Sequence, residues 1–164
     1  MTVEALFGLS VLMNFVAFGL VTGLYIWPRV RTLRREDALT ALLVPHTFRF
    51  VGLSFLVPGV VAASLPSAFA APAAYGDLIA ALLAMAAIFA LARRVSWAIP
   101  LVWLFNVWGA GDLLNAFYQA QIRVGIGPGS LGAAFYVPTL VVPPLLVIHG
   151  LIFALLMQTK TQLA

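Results

Sequence analysis

The sequence has no cysteine. That excludes disulfides, thiolate zinc sites, iron–sulfur clusters and cysteine nucleophiles. It also leaves the redox compartment unmarked. Charge is nearly as scarce, at 9% of 164 residues, and there are only two histidines. A soluble domain needs far more charge, because most of its surface faces water. The longest polar stretch runs only from Arg29 to Asp37, so no separate soluble domain is expected, and 1–164 is read as one domain. A conventional signal peptide is missing too. The N-terminal region lacks a basic start, carries Glu4, and its apolar run is too long. It is read as a retained helix.

What fills the chain is apolar: 63% of residues are hydrophobic. A bilayer span takes about 20 apolar residues, and five segments qualify. They are approximately 4–27, 38–63, 73–93, 96–121 and 134–158. The expected fold class is therefore an all-α integral membrane protein, a five-transmembrane-helix bundle with a kinked fifth helix. Trp27-Pro28 is expected to close the first helix, Asp37 to cap the second, Pro58-Gly59 to end it early, and Ser96 to cap the fourth. The short Arg93-Arg94 connection makes helices 3 and 4 antiparallel neighbours. Tandem Pro143-Pro144, after Pro138, removes backbone donors and bends helix 5, and the freed carbonyls need partners.

Basic residues set the expected orientation. Arg29, Arg31, Arg34, Arg35, Arg93, Arg94 and Lys160 fall on one side, and Arg123 alone falls on the other. The positive-inside rule places the N-terminus outside and the C-terminus in the cytoplasm, in the cell (inner or cytoplasmic) membrane. The net charge of +4 comes mostly from this asymmetry, so no nucleic-acid partner is expected. Membrane lipids are the expected partners, with anionic headgroups near Arg29–Arg35. Small residues at Gly19 and Gly23, and at Gly76, Ala80 and Ala84, allow close helix approach. The approach is either within the chain or between copies in a homo-oligomer or larger membrane complex.

Polar residues inside the spans carry the functional reading, because each needs a partner or a cavity. The ligand or ion-path candidates are Arg49, Asp112, Asp77, Asn106, Asn115 and Asn14. Arg49 lies near mid-span, too deep to snorkel, and cannot shed its proton. Asp112 is its expected counter-charge and Asp77 the second choice, with Asn106 and Asn115 supplying hydrogen bonds. His46 and His149 match in depth on helices 2 and 5, and His46 shares a face with Arg49. Paired histidines on facing helices are candidate ligands for haem b or a metal, which would make the chain a haem- or quinone-binding electron-transfer subunit. Trp108, Asp112, Asn115 and Gln119 share one face of helix 4.

One literal motif stands on helix 4. Gly109-Ala110-Gly111-Asp112 resembles the second aspartate motif of intramembrane aspartyl proteases of the presenilin and prepilin-peptidase type. The resemblance covers four residues and implies that Asp77 and Asp112 would share a proton and activate water. In presenilin-like members the partner motif is Tyr-Asp, whereas here Gly76 separates Tyr75 from Asp77. The reading that asks least of the residues is non-catalytic: a buried polar site that binds or passes a small solute or proton.

Overall fold

The computed structural model describes residues 1–158 and is all-helical, without strands among the described residues. Lys160, one of the basic residues behind the expected orientation, lies outside those residues. Four helices are long and apolar enough to cross a membrane: α1 (Val3–Val30), α2 (Arg35–Leu56), α3 (Ser67–Ala92) and α5 (Val137–Met157). Between the last two lies α4 (Ala98–Tyr118), of similar length but carrying Asn106, Asp112 and Asn115.

Several ends differ from expectation, each for a local reason. α1 runs through Trp27-Pro28 to Val30. A wide turn over Thr22–Ile26, closed by the Trp27 N–H on the Thr22 carbonyl, relaxes the helix where the Pro28 ring would crowd the preceding turn. α2 starts at Arg35, and Asp37 is not its cap; the Asp37 carboxylate instead receives Arg34 Nε and a second guanidinium N–H at 2.8 and 3.0 Å. α2 ends at Leu56 rather than at 63, ahead of Pro58 and Gly59 with its φ of 83°. α3 begins six residues before the expected 73, because Pro72 is accommodated inside it. Ser96 does not cap α4, whose cap position is Trp97 with no side-chain bond.

The α3–α4 turn closes by two crossed bonds, Arg94 N–H to the Leu91 carbonyl and Val95 N–H to the Ala90 carbonyl. This is a Schellman closure, and it leaves Arg94 in the left-handed region at φ 51°. α3 and α4 pack against each other as that tight turn requires. The Gly76, Ala80 and Ala84 face is buried within the chain. Gly19 and Gly23 meet nothing within 4 Å, so the α1 pair faces outward.

Helix 5 is not continuous from 134. A 3-10 segment, Pro128–Phe135, comes first and turns at Gly132 (φ 53°). A wide turn over Val137–Val141 then leads into Val142–Met157. Pro143 and Pro144 withdraw the N–H groups that Thr139 and Leu140 carbonyls would normally receive. Asn14 of α1 donates its amide to both carbonyls, at 2.9 and 2.8 Å. At the far end Arg35 donates to the Leu156 carbonyl at 2.8 Å, occupying an acceptor in the last turn of α5.

Two apolar clusters fill the bundle. One, at the arginine-loop end, is made of Leu39, Leu42, Leu43, Ala84, Phe105 and Ile152 with their neighbours. The other, at the opposite end, centres on Phe55, Phe69, Leu113, Leu131 and Leu145. Between them lies a band of polar side chains.

Candidate functional site

The second half of α2 builds the site. Val44–Leu56 is a 3-10 helix, with three residues per turn instead of 3.6. Every third residue therefore falls in one row, and the buried residues of the segment are His46, Arg49, Gly52 and Phe55. Thirteen residues is long for this conformation, whose runs rarely exceed about four residues. Its effect here is to aim imidazole, guanidinium and phenyl ring along one line through the bundle.

Arg49 is 1% exposed and every nitrogen of its guanidinium is engaged. Nε donates to Asp77 Oδ1 of α3 at 2.7 Å, one terminal nitrogen to Asp112 Oδ2 of α4 at 2.7 Å, and the other to the Gly109 carbonyl at 3.0 Å. The two expected counter-charges are thus not alternatives; both carboxylates share one guanidinium. With both ionised, two negative charges face one positive charge, so the cluster carries one in excess. The carboxylates keep 9% and 14% of their side-chain exposure.

Three glycines make this density possible. A Cβ at Gly52 would collide with the Asp77 carboxylate, and one at Gly76 with the Asp112 carboxylate. A Cβ at Gly109 would stand 2.7 Å from His149 Cε1 and 2.8 Å from an Arg49 terminal nitrogen. Gly109 in the Gly-x-Gly-Asp motif is therefore a space requirement, whereas Gly111 meets nothing within 4 Å.

Behind the guanidinium, His46 and His149 are in contact, with ring centroids 4.2 Å apart and planes at 48°. Both are buried, and Phe105 packs on each. His149 Nδ1 lies 2.6 Å from Asn106 Oδ1, and Asn106 Nδ2 donates to the His149 carbonyl at 3.2 Å. An amide oxygen only accepts, so Nδ1 is the donor in that bond, leaving the other ring nitrogen of His149, Nε2. That nitrogen, and both nitrogens of His46, are buried without a protein partner. The geometry does not match axial haem ligation. A bis-histidine haem places iron and porphyrin between the rings, and these rings touch. Among the described residues no three His, Asp or Glu side chains gather as a metal set.

The remaining candidates divide. Asn106 serves His149 rather than Arg49. Asn14 lies on the α5 bend and shares no hydrogen bond with the cluster. Asn115 is exposed and joins Asp112 and Gln119 along a small crevice with Phe69, Pro72 and Ala116; Trp108, expected on that face, does not line it.

On the side away from the histidines, Asp77 and Asp112 form the floor of a cavity of about 50 Å³. Phe7, Phe55, Phe69 and Phe117, one from each of the first four helices, wall it. The sequence reading did not find this cavity. Its one legible trace was the spacing of three through His46, Arg49, Gly52 and Phe55, which fits a 3-10 row better than an α-helical face.

The architecture defines a class: an all-helical bundle with one guanidinium buried between two carboxylates. The family described as a domain of unknown function, DUF8737, matches residues 6–157, and the chain belongs to that family. No curated protein and no solved structure matches it.

Proposed function

We propose that this is a five-span membrane protein whose Arg49–Asp77–Asp112 cluster takes up one positive charge, a proton or small cationic solute, from the cavity above it. The observation that carries the reading is the unequal count of charges: one buried guanidinium held by two carboxylates that both face a cavity. A strut between helices needs one acid per arginine. The second acid leaves an imbalance that an apolar interior penalises until it is neutralised.

Membrane insertion is supported by the apolar length of four helices and by what α4 shows outward. Its exposed large residues include Leu104, Val107, Trp108 and Leu114, while Asn106 is buried. α4 also reverses directly from α3 through the Arg93-Arg94 turn, so a crossing by one implies a return by the other. The N-terminus lies outside, the C-terminus lies in the cytoplasm of the cell membrane, and the arginine loops meet anionic lipid heads. Gly19 and Gly23, open on α1, suit a contact with a second copy. The reading is non-catalytic. Asp77 and Asp112 each commit one oxygen to the guanidinium between them, rather than meeting as an open carboxylate pair over a water.

Infrared difference spectroscopy of the purified protein tests the site. Changing pH, or adding a small cation, should alter carboxylate and carboxylic bands, and Asp112→Asn should remove part of that signal. Bands that respond to neither treatment would reduce the cluster to a strut. Orientation is tested separately in intact cells. A cysteine at Ser130 should react with an impermeant reagent and one at Thr32 should not; the reverse would overturn the topology.

A further inference from the structure

The walls above the cluster narrow the choice of ligand, given the reading of Arg49–Asp77–Asp112 as a cation-accepting site. We infer that the cavity selects a short-chain alkylammonium, a small apolar body bearing one positively charged N–H donor.

Three features on separate elements converge on this chemistry. The first is the lining. Apart from the two carboxylates at the floor and Gln121 near the rim, every lining side chain is apolar. A sugar or polyol would leave its hydroxyls unpaired against phenylalanine, which is costly. A hydrated metal ion wants several oxygen ligands, and water in such a space wants two to four polar partners. An anion would meet the excess negative charge. An alkylammonium satisfies both parts, with hydrocarbon against Phe55, Phe69 and Phe117 and nitrogen toward the carboxylates.

The second is the unused acceptor capacity. Arg49 takes Asp77 Oδ1 and Asp112 Oδ2. Asp77 Oδ2 and Asp112 Oδ1 have no hydrogen bond from it and rest against Gly52 and Gly76, where no Cβ intervenes. Each can accept from an ammonium, which would bring the cluster to charge balance.

The third is the entrance. A shallower cleft at the same end is lined by Glu4 and shares Phe7, Phe117, Ala120, Gln121, Ile126 and Pro128 with the cavity. The two spaces thus adjoin, the outer one beside an acid and the inner one on two. Arg123, the basic residue of that end, is exposed and lines neither space. A volume of about 50 Å³ limits the body to a few carbons.

Calorimetric titration of the full chain in detergent decides the matter, with n-butylammonium, 1-butanol and butyrate as matched probes. Butylammonium should bind about tenfold or more tighter than either, as a charged hydrogen bond implies. Asp112→Asn should abolish that preference, and Phe117→Ala should weaken butylammonium about threefold. Asp112→Asn leaves a balanced Arg49–Asp77 pair; should it nonetheless fail to fold, the three probes on the native chain still decide. Equal binding of 1-butanol, or no binding of butylammonium, overturns the inference. Infrared spectra of the same samples separate the two failures. A carboxyl response to pH without butylammonium binding leaves a proton site and removes only the alkylammonium. No response of either kind removes both readings.

Discussion

The two ends of the bundle differ in what lies next to the polar band: packed side chains at one, a cavity at the other. At the arginine-loop end, α3 turns alanines inward, with Ala84, Ala87 and Ala90 fully buried, and Leu39, Leu43, Val102 and Ile152 close against them. Small residues let the helices approach closely there. At the other end the core mixes Ala70, Ala73, Ala74 and Ala134 with Phe55, Phe69 and aliphatic side chains, and a cavity walled by four phenylalanines remains there. The polar band lies at the junction. Its histidine side abuts the sealed end, where Phe105 packs on both rings, and its carboxylate side opens to the cavity. The proposed binding reading rests on this one open face, since conduction would need a second path.

The largest effect that would break this contrast concerns the junction. Arg49→Leu leaves two uncompensated carboxylates side by side and should cost about 3–5 kcal/mol or more, enough to abolish folding or expression. Asp112→Asn leaves one acid on one guanidinium and should be much milder. Arg49→Leu with Asp77→Asn and Asp112→Asn should recover stability, read by denaturant titration in micelles. A milder Arg49→Leu than Asp112→Asn would mean the shared guanidinium is misassigned.

The packing contrast itself is sharpened by one pair of substitutions. Ala84→Leu, at a fully buried position in the sealed end, should destabilise by about 1–3 kcal/mol through overpacking. Ala116→Leu, on the cavity wall, should cost less than about 1 kcal/mol because its methyl groups enter free space. Equal penalties would erase the distinction between the ends.

A smaller effect is expected at Asn14. Replacing it by Leu strands the Thr139 and Leu140 carbonyls freed by the prolines, at about 1–3 kcal/mol. An unchanged midpoint would show that the α5 bend needs no partner from α1. Smallest is Arg94→Gly. Its left-handed backbone suits glycine, and the variant should gain about 0.5–1 kcal/mol; a loss would mean the arginine side chain matters more than its φ.

The sequence made some of this legible and hid the rest. Scarcity of charge and the apolar runs pointed to an all-helical chain, and four helices are long and apolar enough to cross a membrane. Arg49 and its two acids were found because a charge in an apolar run has few partners to choose from. The helix ends were read less well. Pro28 looks like a terminator, yet a wide turn absorbs it, and α3 carries Pro72 inside it. Asn14 was placed among the site candidates on depth alone, whereas its amide answers two specific carbonyls. The histidines were matched by depth, which gave no ring spacing, and contact at 4.2 Å leaves no room for a porphyrin between the rings. The 3-10 conformation of Val44–Leu56 was invisible to a count based on 1.5 Å per residue, and it is what puts Arg49 in line with Phe55.

The central claim is that the carboxylate pair is reached from one end only, and the absence of native cysteine makes it directly measurable. Single cysteines at Ala120, near the mouth, at Ala116, on the cavity wall, and at Ala84, in the sealed end, would be exposed to a small impermeant thiol reagent from each side of a reconstituted membrane. Ala120→Cys should react fastest and Ala116→Cys more slowly, both only from the side bearing the Gly125–Ser130 loop, and Ala84→Cys should react from neither. Modification of Ala84→Cys, or of Ala116→Cys from the arginine-loop side, would contradict the account.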